Sequence, residues 1–143
     1  ASTLRTAVYE TAYHWHRRFI RAPMDLAMDE PVTVQRRVFR VRCRAALLDL
    51  RPILRDHPGL ADPHDWAPGQ AFGRRVHRNG YPGLLTRSVR SPAPNARCVA
   101  VFRRAVLDDP RDVCFLDYRY EPDDDAIVVE RSPGREWFRY KAP

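Results

Sequence analysis

The sequence predicts an α+β fold: a small mixed β-sheet domain with flanking helices. Two segments carry apolar residues at helical spacing, one at the start of the chain and one near residue 70. Several other segments are unbroken apolar runs or alternate apolar with polar residues, which is typical of strands. The length of 143 residues and the hydrophobic fraction of 44% indicate one domain with its own core.

The first helix is predicted from about Thr3 to Arg21. Ser2 or Thr3 can cap it, and Pro23 ends it. The loop from Pro23 to Pro31 follows. The apolar positions at helical spacing are Leu4, Val8, Ala12, Trp15 and Phe19.

Extended structure is predicted from Val32 to Leu50. The apolar alternation changes parity within this segment, which indicates a bulge or a break near Gln35 to Arg37. Arg51 to Pro68 is rich in proline, aspartate and histidine and is predicted to be a loop.

The second helix is predicted from about Pro68 to Arg78, with Asp65 as a candidate cap. Asn79-Gly80 ends it, because both residues tolerate the left-handed conformation. Two short buried strands are then expected, Gly83 to Thr86 and Cys98 to Phe102.

A hairpin is predicted near the end of the chain. Its strands run from Val113 to Tyr120 and from Ala126 to Glu130, around the acidic turn at residues 122–125. The segment from Ser132 to Pro143 is expected to be a final strand or a docked tail.

The net charge of +7 comes almost entirely from arginine, since Lys141 is the only lysine. Arginine binds phosphates and carboxylates through two parallel hydrogen bonds. The excess is therefore compatible with a nucleotide, a nucleic acid or an acidic protein, and equally with the coding bias of an arginine-rich genome. The three cysteines, Cys43, Cys98 and Cys114, are predicted to be small buried hydrophobic residues, and no pair has metal-ligand spacing.

Four residues are candidates for a functional site: Glu10, His14, Ser88 and Arg90. Glu10 lies on the first helix, one turn before His14, although a glutamate in mid-helix is more often a solvated surface residue. Ser88 follows a buried strand, where catalytic groups are common, and Arg87 and Arg90 make its surroundings electropositive. A turn serine between exposed arginines would look the same. No nucleotide-binding glycine loop, hydrolase elbow or metal motif is present.

Taken together and in order, three segments resemble the RES-domain family. The first is T-A-V-Y-E-T-A-Y-H at residues 6–14, with R-R-F at 17–19. The second is G-Q-A-F-G-R-R-V-H-R-N-G-Y-P-G-L-L-T-R-S-V-R-S-P at 69–92, and the third is C-V-A-V-F-R-R-A-V-L at 98–107. F-L-D-Y-R-Y and A-I-V-V-E-R resemble the closing hairpin of one subgroup.

The resemblance implies a fold like that of the ADP-ribosyltransferases and gives roles to the candidates. Glu10 matches the family's glutamate and Ser88 its serine, and both are expected to be catalytic. Apart from the resemblance, Arg90 is expected to bind substrate because its charge can neutralise a pyrophosphate, and His14 because it lies one turn after Glu10. The family's arginine and tyrosine lie upstream of the glutamate helix, and the sequence begins at Ala1. We therefore expect a single RES-like domain over residues 1–143 that lacks the family's N-terminal strands.

A cytoplasmic location is expected because the sequence has no apolar run long enough to cross a bilayer. The resemblance further implies a toxin of a toxin–antitoxin pair that cleaves the nicotinamide–ribose bond of NAD. Phosphate, water or a protein accepts the ADP-ribose. NAD is then a substrate, inorganic phosphate is a candidate co-substrate, and no cofactor or metal is expected. The expected partner is a helix-turn-helix antitoxin, through which any contact with nucleic acid would be indirect. No membrane partner is expected. The sequence leaves open whether the chain forms a homo-oligomer. Two alternatives remain: an inactive remnant that binds an antitoxin, and a basic nucleic-acid-binding domain.

Overall fold

The computed structural model describes residues 1–21 and 30–141. The loop predicted from Pro23 to Pro31 lies outside these residues except for its last two positions. The chain divides into two compact units, one of Ala1–Glu10 with Arg42–Asp108 and one of Thr11–Val41 with Asp109–Pro143. Helices and two sheets are both present, so the predicted α+β class is confirmed. The likeness to ADP-ribosyltransferases and the single-domain organisation stay predictions.

The first helix, α1, runs from Leu4 to Trp15 and continues as a π-helical turn over His16–Ile20. Thr3 caps it as predicted, because its Oγ1 accepts a hydrogen bond of 3.1 Å from the backbone N–H of Thr6. The cap stabilises the first turn of the helix that carries Glu10.

The first unit contains a three-stranded sheet in the order β2-β3-β4. β2 is Leu48–Asp49, β3 is Gly83–Arg87 and β4 is Arg97–Val101. β2 runs parallel to β3, and β3 runs antiparallel to β4. Helix α2, Ala67–Arg78, precedes β3. Short 3-10 turns at Arg51–Ile53 and Pro58–Ala61 lie within the predicted loop, and another lies at Arg104–Val106.

The core of this unit is built on Leu50, Val76 and Leu84, which are all buried. Val76 belongs to α2 and Leu84 to β3, so burial of these side chains holds the helix against the sheet. Each such side chain contributes about 1.5–3 kcal/mol when it is fully buried. This packing fixes β3, and β3 leads directly to Ser88.

The second unit carries a four-stranded sheet in the order β1-β5-β6-β7. The strands are β1 (Val32–Cys43), β5 (Leu107–Glu121), β6 (Ala126–Ser132) and β7 (Arg135–Lys141). β5 and β6 form the predicted antiparallel hairpin, and β7 is the predicted final strand. The first four residues of β6, from Ala126 to Val129, are fully buried.

The predicted bulge or break near Gln35 to Arg37 is wrong. β1 is continuous, and every second residue from Val32 to Val38 is half-buried. Arg36 therefore faces inward, and its guanidinium carbon lies 5.1 Å from the ring centroid of Tyr118. Phe39, by contrast, is 59% exposed. The alternation of half-buried and exposed residues is interrupted only after Val38. Arg36 takes a half-buried position that the apolar pattern does not indicate, because its guanidinium packs on an aromatic ring.

The prediction that all three cysteines are buried is also wrong. Cys43 is exposed, and Cys98 and Cys114 are only partly buried.

Within the described part of the chain, no helix is long and apolar enough to cross a membrane.

Candidate active site

Glu10 and Ser88 are in direct contact, although 78 residues separate them in the chain. The hydroxyl Oγ of Ser88 donates a hydrogen bond of 2.6 Å to Oε1 of Glu10. Glu10 is half-buried on α1, and Ser88 is only 3% exposed directly after β3. A short hydrogen bond to a carboxylate is among the stronger polar contacts in proteins.

The backbone around Ser88 holds its side chain in place. The N–H of Ser88 donates to the carbonyl oxygen of Ala96 over 2.9 Å, which extends the pairing of β3 with β4 by one residue. In the other direction, Ser88 Oγ accepts the backbone N–H groups of Ser91 at 3.1 Å and of Arg90 at 3.4 Å. The hydroxyl therefore both accepts and donates, and its hydrogen is directed at Glu10.

Cys98 is a third member of this cluster. It lies on β4, and its Sγ donates to the same oxygen of Glu10 over 3.3 Å. Burial raises the pKa of the Cys98 thiol to about 11, and the charge of Glu10 and this hydrogen bond act in the same direction. Cys98 is therefore a neutral thiol at physiological pH and acts here as a hydrogen-bond donor.

The two oxygens of Glu10 have different surroundings. Oε1 accepts the hydrogen bonds from Ser88 and Cys98. Oε2 has no hydrogen-bond partner among residues 1–21 and 30–141. One oxygen thus anchors the carboxylate and the other remains able to accept a hydrogen bond from a ligand.

Arg90 lies next to this cluster, but its guanidinium is engaged elsewhere. Its Nη2 donates to the backbone carbonyl oxygen of Pro63. The backbone N–H of Arg90 is the part that reaches Ser88. The structure therefore brings Arg90 beside Ser88 and ties its side chain to the segment before α2.

His14, the fourth candidate, belongs to the second unit and is half-buried on α1. Its ring packs edge-on against Tyr13, with 5.4 Å between the ring centroids. Its predicted role as a substrate-binding residue stays a prediction.

Sequence reasoning missed Cys98 as a partner of Glu10 because a cysteine in an apolar run predicts a core residue. The available signal was its position on a strand that pairs with the strand leading to Ser88. Thr86 and Cys98 are opposite each other in that pairing. Side chains two residues apart on a strand point to one face, so Ser88 and Cys98 share a face.

The described residues contain no group of three or more histidine, cysteine, aspartate or glutamate side chains arranged to hold a metal ion.

Comparison with known families gives one informative result: the family model of the RES domain matches residues 1–121. This stretch includes Glu10, Ser88 and Arg90, and it confirms the resemblance drawn from the sequence. Neither a curated protein nor a solved structure matches the chain.

Proposed function

This chain belongs to the RES-domain family, and on that premise we propose that it is a toxin that cleaves the nicotinamide–ribose bond of NAD. RES domains are associated with NAD-acting toxins. In the proposed reaction, inorganic phosphate or water accepts the ADP-ribose and nicotinamide is released. Transfer to a protein is the remaining option for the acceptor.

The hydrogen bond between Ser88 and Glu10 is the observation that carries the proposal. Two residues that the family resemblance singles out separately, 78 positions apart, meet through their functional atoms. A solvated surface glutamate and an unrelated turn serine would not be expected to share a 2.6 Å hydrogen bond.

The chemistry requires an anion near the ribose. Breaking the glycosidic bond develops positive charge on the sugar, as in glycoside hydrolysis. A fixed carboxylate stabilises that charge electrostatically and more strongly in a site that excludes water. Glu10 meets this requirement because Ser88 and Cys98 hold Oε1, which leaves Oε2 to face the ribose or one of its hydroxyls.

The other members of the site have supporting roles in the proposal. The loop after Ser88 carries Arg90. The positive charge of its side chain favours binding of the NAD pyrophosphate nearby. Ser88 aligns Glu10 and fixes the substrate. His14 is proposed to contact the substrate from α1. Nicotinamide leaves as a neutral group from a cationic ring, so the reaction as proposed needs no metal.

We also propose a partner and a compartment from the family. A helix-turn-helix antitoxin would neutralise this toxin, and any contact with DNA would be made through that partner. The cytoplasm, where NAD is available, is the expected location.

The test is release of nicotinamide from NAD by the purified chain, measured with and without phosphate. Glu10→Gln preserves the shape of the side chain and removes its charge, so it should lower release by at least about a hundredfold. Ser88→Ala should lower release by roughly tenfold or more, because Glu10 loses its strongest anchor.

Glu136→Gln and Ser132→Ala are matched controls, since both residues are exposed in the second unit. They should leave release unchanged. Faster release with phosphate identifies phosphate as the acceptor. If Glu10→Gln releases nicotinamide as fast as the unaltered chain, Glu10 is not the catalytic carboxylate and the proposal is wrong.

A further inference from the structure

The first unit contains a cavity of about 520 Å³, and the charged residues that line it within the described part of the chain are all arginines. Four guanidinium side chains border it, those of Arg51, Arg55, Arg87 and Arg97. Leu54 and Pro94 are among the residues that form its less polar wall. We call this feature the arginine cavity. Its volume is within the range of roughly 300–1,000 Å³ that is usual for small-molecule sites.

Two of these arginines are held close together by the sheet. Arg87 on β3 and Arg97 on β4 are directly opposite each other in the antiparallel pairing. Side chains in that position have Cβ atoms about 5 Å apart, and two like charges there destabilise the sheet. The arrangement therefore costs stability unless an anion neutralises it.

The protein supplies little of that neutralisation. Asp49 accepts hydrogen bonds from Arg51, and these lower the pKa of Asp49 to about 2, with a smaller contribution from the charge of Arg97. Among residues 1–21 and 30–141, no carboxylate forms an ion pair with Arg55, Arg87 or Arg97. Four guanidinium groups thus border one concave space, and the described residues that line it include no carboxylate.

The arginine cavity is separate from the Glu10–Ser88 cluster. Arg87 immediately precedes Ser88, and Arg97 immediately precedes Cys98. Adjacent side chains on a strand point to opposite faces. Ser88 and Cys98 point to the face where they contact Glu10, so Arg87 and Arg97 point to the other face of the β3–β4 pair.

We propose that the arginine cavity is a second ligand site that binds a polyphosphate anion, either inorganic or carried by a nucleoside. Guanidinium groups bind phosphate oxygens through paired hydrogen bonds, so several of them around one space select for several linked phosphates. The arginines converge on a cavity instead of following a line, which favours a compact anion over a nucleic-acid duplex. This site is additional to the proposed cleavage of NAD.

Calorimetric titration of the full chain with inorganic triphosphate, at constant ionic strength, tests the proposal. Triphosphate should bind, and inorganic monophosphate should bind at least about tenfold more weakly. Arg55→Ala, Arg87→Ala and Arg97→Ala should each weaken triphosphate binding by roughly tenfold. Arg74→Ala is the control, since Arg74 is exposed on α2 and does not border the cavity.

A parallel titration with ATP distinguishes the two sources of the anion. Tighter binding of ATP than of triphosphate means that Leu54 and Pro94 contact a nucleoside, and equal binding means that the phosphate chain alone is recognised. Both results support the site.

Three results overturn the proposal: no binding of triphosphate, equal loss in the Arg74→Ala control, or a loss in Ser88→Ala as large as in Arg87→Ala. The last result would place the anion at Glu10 and Ser88. Because the titration measures binding without NAD, its outcome is independent of whether the chain cleaves NAD. Thermal unfolding of each variant verifies that it is folded.

Discussion

The thiol of Cys98 donates a hydrogen bond to Oε1 of Glu10, the same oxygen that Ser88 holds. A carboxylate on a helix thus receives one donor from β4 and one from the residue that follows β3. The consequence is that the orientation of Glu10 depends on residues of three different elements, so changes at β4 should affect chemistry at α1.

Cys98→Ala should therefore lower the rate of nicotinamide release without abolishing it. A thiol is a weak donor, and its loss is expected to reduce kcat by roughly fivefold with little change in KM. Cys98→Ser retains a donor and should recover most of the rate. The measurement is steady-state release of nicotinamide. Equal activity of the alanine variant and the unaltered chain would show that Cys98 does not position Glu10.

Alkylation should distinguish the cysteines. The thiolate is the reactive form, and the pKa of Cys98 is raised to about 11, whereas Cys43 is exposed. At pH 8, iodoacetamide should therefore modify Cys43 well before Cys98. Mass spectrometry of tryptic peptides over time gives both rates. The reaction at Cys98 should accelerate only as the pH approaches 11, and early modification of Cys98 at pH 8 would contradict its assignment as a partly buried, neutral thiol.

Asp125 should matter for the stability of the second unit. It accepts hydrogen bonds from His16 at 2.8 Å and from Tyr120 at 3.0 Å, and it also pairs with Arg21. Asp125→Ala leaves the buried His16 without this partner, so the free energy of unfolding should fall by about 2 kcal/mol. Chemical denaturation measures the change. Asp123→Ala, at an exposed position in the same turn, should have little effect.

Acid should weaken the same contact. Burial acts to raise the pKa of Asp125, but hydrogen bonds from His16, Arg21 and Tyr120 outweigh burial and lower this pKa to about 2. Because the folded-state pKa lies below the ordinary value of 3.8, the stabilisation is present above about pH 4 and is lost as the pH falls towards 2. Asp125→Asn should remove this part of the pH dependence. An unchanged slope of stability against pH in that variant would show that another carboxylate is responsible.

Gly83 should not tolerate a side chain. A Cβ at this position would lie 2.4 Å from the backbone oxygen of Ala100 and 3.0 Å from Leu47. Gly83→Ala should therefore destabilise the first unit by about 1–3 kcal/mol, measured as a fall in Tm. Gly59→Ala is the matched control, since its nearest neighbour would be Pro68 at 3.8 Å. Equal Tm values for the two variants would mean that β3 and β4 can separate at no cost.

Local patterns predicted the elements well where one interaction dominates. The cap at Thr3 and the acidic turn before Ala126 have short-range causes that can be identified from neighbouring residues. The bulge or break expected near Gln35 to Arg37 was wrong because Arg36 packs over Tyr118, which is a long-range contact. Apolar alternation cannot anticipate an arginine that takes a half-buried position.

The candidate site was predictable only through the family resemblance. Spacing along the chain gave no reason to place Glu10 beside Ser88. Cys98 and the arginine cavity depend on the pairing of β3 with β4, and this register is a property of the folded sheet. The sequence did indicate that the arginines around Ser88 favour binding of a phosphate group. One of them, Arg87, also borders the arginine cavity.

The alignment of Arg87 with Arg97 has a further consequence for how this segment can vary in length. Losing or gaining one residue within β3 or β4 would exchange the side chains on the two faces. Ser88 or Cys98 would then turn towards the arginines, and an arginine would turn towards Glu10. Insertions and deletions should therefore be confined to the connection between Ser88 and Ala96, where a change of length leaves both faces intact.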